Sequence, residues 1–144
     1  MISNKTYYGI SALTHLAVKS NSGHVGLGEI ATDRKIPLRF LELIFSRLKS
    51  SGIVNSVRGA GGGYYLAKPP GQITLAEIIF SCEGMSEFAV SAALMDRSNH
   101  DDPVGSALIE IMNRQFAAFR ESLKAVTLAD VIRECGLSSE MYWI

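Results

Sequence analysis

Pro37-Leu38-Arg39-Phe40-Leu41-Glu42-Leu43-Ile44-Phe45-Ser46-Arg47-Leu48-Lys49-Ser50, then Ser51-Gly52, then Ile53-Val54-Asn55-Ser56-Val57-Arg58-Gly59-Ala60-Gly61-Gly62-Gly63-Tyr64-Tyr65-Leu66-Ala67, is the stretch that decides the fold. Its first part reads as a helix from Pro37 to Ser50. Leu38, Leu41, Ile44, Phe45 and Leu48 recur at helical spacing and form one apolar stripe. Arg39, Leu43, Ser46, Arg47 and Ser50 fall on the opposite face. Proline suits the first helical position, and Gly52 closes the helix. Two β-branched or aromatic strands follow, Ile53 to Val57 and Gly63 to Ala67. The glycine-rich segment Arg58 to Gly62 between them makes a hairpin tip. Glycine there permits positive φ and lets backbone come close to another surface.

Working towards the N-terminus, a short helix from Gly28 to Arg34 precedes the Ile36-Pro37 break. A helix from Thr6 to Ser20 precedes that, with Ile10, Leu13, Leu16 and Ala17 on one face. Two short helices joined by a tight turn, the second carrying outward arginines, make a helix-turn-helix. A hairpin directly after it is a wing. The expected fold is therefore mainly α with a small β-hairpin, a winged helix-turn-helix over residues 1–70.

Working towards the C-terminus, Lys68-Pro69-Pro70-Gly71 marks a boundary. Residues 71–144 read as a helical linker, a long helix of about 103–126 and a C-terminal helix. Thr74-Leu75-Ala76-Glu77 is a capping box, and its helix runs to about Cys82. Met85 to Met95 reads as a turn or two of helix, and Ser98 to Asp102 as a polar loop. Asp102-Pro103 starts the long helix with an acidic cap. Leu108, Met112, Phe116, Phe119, Leu123 and Val126 step along it at near-heptad spacing. That seam is expected to pair two chains; a core role within one chain is the alternative. Thr127-Leu128-Ala129-Asp130 caps a last helix through Cys135 to Gly136, and the tail to Ile144 holds the single tryptophan, Trp143.

The 144 residues carry no net charge, but the two halves are unlike. Residues 1–70 hold nine basic and three acidic side chains, a net +6; residues 71–144 hold five and eleven, a net −6. A basic half can approach phosphates while the acidic half faces away. No apolar run is long enough to span a membrane, and nothing directs the chain out of the cytoplasm. The glycines of the tip are followed by a strand, not a helix, so they do not make a phosphate-binding loop of a nucleotide enzyme. No catalytic set of Ser, His, Asp or Cys has a recognisable motif around it, so no enzyme is expected.

The run Phe40 to Val54, followed by Ser56-Val57-Arg58-Gly59-Ala60-Gly61-Gly62-Gly63-Tyr64, resembles the Rrf2 family of bacterial regulators. The likeness extends over almost the whole chain, from Tyr8-Gly9 through Thr74–Glu77 to Thr127-Leu128-Ala129-Asp130-Val131. It implies a homodimer that binds double-stranded DNA at palindromic operators. A dimer covering a promoter blocks polymerase by occupancy, so a repressor is expected. By position it places Arg58 with Gly59, Gly61 and Gly62 in a minor groove and Arg39, Glu42 and Leu43 at base edges. Lys5, Tyr8, Arg47 and Lys49 complete the expected DNA-binding set, and Leu108, Met112, Phe116, Phe119 and Leu123 the dimer interface. Leu43 stands where relatives often carry glutamine, so no relative's operator carries over.

Many members resemble iron–sulfur proteins with three cysteines ahead of the long helix. Here residues 83–103 contain none. Cys82, Cys135, His15, His24 and His100 supply few donors at no recognisable spacing, so neither a cluster nor another metal site is expected. Other readings stay open: a winged helix that binds protein, or a regulator answering to thiol oxidation at Cys82 or Cys135. A small ligand near Tyr7, Phe88, Met95 or His100 is also compatible, as is a regulatory protein partner.

Overall fold

The structure is a computed structural model and describes residues 2–19, 23–84, 95–96 and 102–136. Its elements run α1 (Asn4–Val18), α2 (Leu27–Arg34), α3 (Leu38–Ser50), β1 (Val54–Val57), β2 (Gly63–Leu66), a 3-10 turn (Pro70–Gln72), α4 (Leu75–Glu83), α5 (Pro103–Lys124) and α6 (Leu128–Glu134). The expected readings of Met85–Leu94, Ser98–Asp101 and the tail containing Trp143 lie outside the described residues, as do Phe88 and His100.

The helices begin where local chemistry says they should. Ser3 caps α1 by accepting from the Lys5 N–H, so the helix starts at Asn4, two residues ahead of the expected Thr6. Asp102 accepts from the Gly105 N–H at 2.9 Å and puts Pro103 at the first position of α5. Thr74 and Thr127 each form a reciprocal capping box, with Glu77 and Asp130. The two caps also meet: Thr74 bridges Thr127 in antiparallel fashion, and the Leu128 N–H donates to the Ile73 carbonyl at 2.9 Å. This fastens α6 beside the start of α4.

Helix α3 buries Leu41, Ile44, Phe45 and Leu48. Each contributes roughly 1.5–3 kcal/mol of burial. Leu38 corrects the expected stripe: it is 45% exposed, because the first turn of α3 projects beyond the core. Phe45 meets Tyr64 edge-on, with ring centroids 4.9 Å apart, and so seats the hairpin on the helix.

The hairpin pairs Val54 with Leu66 and Val57 with Gly63. Ile53 and Ala67 were expected inside the strands but lie just outside them. A third extended residue was not foreseen. Val25 exchanges both backbone hydrogen bonds with Tyr64, at 2.9 and 2.8 Å. A Cβ at Gly63 would sit 2.5 Å from the Val25 carbonyl carbon, so this close approach requires glycine.

One core runs through both halves. Leu13, Ile30, Phe45 and Leu66 share it with Ile73, Ile78, Cys82, Leu128 and Ile132. Lys68 and Glu77 form an ion pair at 2.6 Å across the boundary at Gly71. The boundary therefore divides charge, while packing continues across it. Helix α5 joins α4 through a smaller cluster of Ala76, Ile79 and Leu123.

Candidate nucleic-acid interface

The outer face of α3 follows from its period. At about 100° per residue, Arg39, Leu43, Ser46 and Ser50 lie within a narrow arc, with Glu42 beside it. All five are exposed. Leu43 is 49% exposed, too open for a residue held in place by the core. The Arg39 guanidinium lies 5.4 Å from the Phe40 ring centroid, and Phe40 in turn neighbours Tyr8 at 6.3 Å. Tyr8 is half-buried between α1 and the start of α3, and Lys5 is exposed one turn earlier on α1.

Arg47 and Lys49 stand on opposite flanks, each about 80° from Arg39. The Arg47 Nη1 donates to the Cys82 carbonyl at 2.9 Å and ties α3 to the last turn of α4. The Lys49 ammonium donates to the Ser56 hydroxyl at 2.7 Å and ties α3 to β1. Both side chains are exposed, yet both hold the helix in position. The spacing of the sequence could not distinguish these roles, since both partners come from other elements.

The wing tip carries Arg58 exposed at the end of β1. Gly59 and Gly61 take φ of 99° and 75°, the left-handed region that glycine enters without strain. Gly62 is needed for a different reason. A Cβ there would lie 2.2 Å from the Val57 carbonyl oxygen, and its N–H closes the turn onto the Gly59 carbonyl at 3.0 Å. The tip is thus a compact, side-chain-poor knuckle with one arginine at its base.

These features match a known group. The family profile described as "Rrf2: Iron-dependent Transcriptional regulator" matches residues 2–134. The chain belongs to the Rrf2 family. Relatives of this Rrf2 protein include the HTH-type transcriptional regulator IscR of Photorhabdus laumondii, 42% identical over 82 residues, which is 57% of this chain and 50% of that one. The IscR of Cronobacter sakazakii is 45% identical over 78 residues, 54% of this chain and 48% of the relative. The matched segment thus spans about half the length of these curated relatives. Among solved structures, CymR, the global cysteine regulator of B. subtilis, is 33% identical with a TM-score of 0.72, covering 93% of this chain and 97% of its own. These relatives are named as transcriptional regulators, not enzymes.

The family description names iron, so the thiols matter. The chain holds two cysteines. Cys82 is fully buried, and a Cβ at Gly9 would lie 2.8 Å from its sulfur. Burial, helped by the neighbouring Glu83 charge, pushes its pKa up to about 11. The thiol is therefore held protonated inside the core, which counts against it both as a cluster ligand and as an oxidation sensor. Cys135 is exposed at the end of α6. This donor set does not fit a cluster held by four protein ligands.

On α5, Leu108 and Phe119 are 43% and 45% exposed, while Met112 and Phe116 are half-buried. Leu123 departs from the expected seam. It is only 7% exposed and packs on Ala76 and Ile79 of its own chain. Of the suggested ligand residues, Met95 is exposed; Tyr7 lines a groove of about 410 Å³ with Ile10, Thr14, Arg34, Val131 and Cys135. No helix among the described residues is long and apolar enough to cross a membrane.

Proposed function

We propose that the chain is a cytoplasmic, sequence-specific DNA-binding regulator that works as a homodimer on an inverted-repeat operator and represses by occupancy. The observation that carries this reading is the exposed outer face of α3 beside a glycine-built wing with Arg58 at its base. Lysines and arginines of the first half neutralise phosphates and set the register. Arg39 supplies a base-edge donor, and Leu43 suits a thymine methyl. Arg58 enters the neighbouring minor groove. The exposed apolar residues of α5, Val104, Leu108, Ile111 and Phe119, support pairing of two chains about a two-fold axis. The donor set supports a regulator that works without an iron–sulfur cluster.

The test is selection of bound sequences from random duplex DNA, using protein purified without oxygen and scanned for visible absorbance. A palindromic site recovered with colourless protein is the expected result. No enriched sequence, or a site without two-fold symmetry, overturns the reading.

A further inference from the structure

His15, Glu29 and Asp33 form a cluster outside the α3 face and the wing. His15 lies on α1, and its side chain is 6% exposed. Its Nε2 has no hydrogen-bond partner. A buried, unpaired imidazole nitrogen is costly unless something fills its lone pair or accepts its proton. That nitrogen points at two carboxylates of α2. Glu29 Oε1 lies 3.8 Å away and Asp33 Oδ2 lies 3.7 Å away, both too far for a hydrogen bond. Glu29 and Asp33 are four residues apart on one helix face, so α2 presents them together. The three ligand atoms lie within 4.8 Å of one another.

We propose that His15, Glu29 and Asp33 bind a divalent first-row transition cation. A tetrahedral centre with bonds of about 2.1 Å holds its ligand atoms about 3.4 Å apart. The two histidine–carboxylate separations need to contract by only a few tenths of an ångström, and the two carboxylates, within 4.8 Å of each other on the exposed face of α2, close around the ion. One imidazole and two carboxylates suit zinc, cobalt or manganese, with water in the remaining positions. Both carboxylate side chains are 48% exposed, which gives the ion access from solvent. Lys19 is the competitor: its Nζ lies 4.0 Å from Glu29 Oε1. It is 47% exposed and free to swing outward when a cation takes its place. The Arg34 guanidinium adds a second opposing charge. The bound ion clamps α2, the first helix of the helix-turn-helix, onto α1.

The experiment is calorimetric titration of Zn²⁺ into tag-free, metal-stripped full-length protein, repeated with Co²⁺ read by absorbance. One ion per chain is expected, with a higher melting temperature on binding. Glu29→Gln with Asp33→Asn should weaken binding by more than about ten-fold. Both positions face solvent, and circular dichroism confirms that the variant folds. Lys19→Met should tighten binding, and Cys135→Ser should leave it unchanged. No heat at millimolar zinc, binding unaffected by the double variant, or a cobalt spectrum with a thiolate charge-transfer band would each overturn the proposal.

Discussion

At the level of single residues, the wing shows how little chemistry a contact site needs. Gly62 tolerates no Cβ because the Val57 carbonyl occupies that place, so the hairpin must turn tightly. Arg58 is then carried forward on a short rigid support. Arg58→Ala should weaken operator binding by about 1–3 kcal/mol and leave the melting temperature unchanged. A gel-shift titration with intact affinity removes the wing from the interface. Glu83 has a structural task that its neighbours in sequence do not reveal. It accepts from the Ser3 N–H at 2.7 Å and from the Thr6 hydroxyl at 2.8 Å, at the positive end of α1. Burial raises its pKa, but the Ser3 and Thr6 hydrogen bonds outweigh this and hold it below the ordinary glutamate value. A carboxyl lowered in the folded state stabilises most above its unfolded pKa, and that stability is lost as pH falls through the folded value. Glu83→Gln should therefore lower the melting temperature at neutral pH, with the gap to the parent protein narrowing in acid. A gap that stays constant with pH refutes the assignment.

At the level of elements, α3 was legible because its amphipathic period is strong, and its glycine and proline boundaries are local signals. What period alone could not supply was the difference between Arg39, which rests over the Phe40 ring of its own helix, and Arg47, drawn to the α4 carbonyl. Helix α5 shows the same limit. Six apolar residues at near-heptad spacing read as one seam, but the structure splits them. Leu123 serves its own chain, whereas Leu108 and Phe119 stay exposed. Leu123→Ala should cost about 2 kcal/mol or more of stability, seen in denaturant unfolding. Phe119→Asp should instead dissociate the proposed dimer, and sedimentation that still shows two paired chains removes this helix from the interface.

At the level of the whole molecule, zero net charge conceals a basic half and an acidic half. Their separation predicts steep salt dependence despite the neutral total. The slope of log affinity against log salt should be about −0.9 per phosphate neutralised, and shallower by about one unit in Arg58→Ala. A flat salt response would mean that the basic half does not face DNA.

Sequence by itself determined the order of elements, the caps at Thr74, Asp102 and Thr127, the glycine tip and the charge division. Each depends on residues a few positions apart, where backbone sterics and short-range hydrogen bonding decide the outcome. Only the tertiary structure decided that Val25 joins the wing, that Cys82 is sealed and protonated, that Leu123 turns inward, and that His15 faces Glu29 and Asp33. Those contacts join distant parts of the chain. Their existence depends on how the helices pack, which no local pattern records.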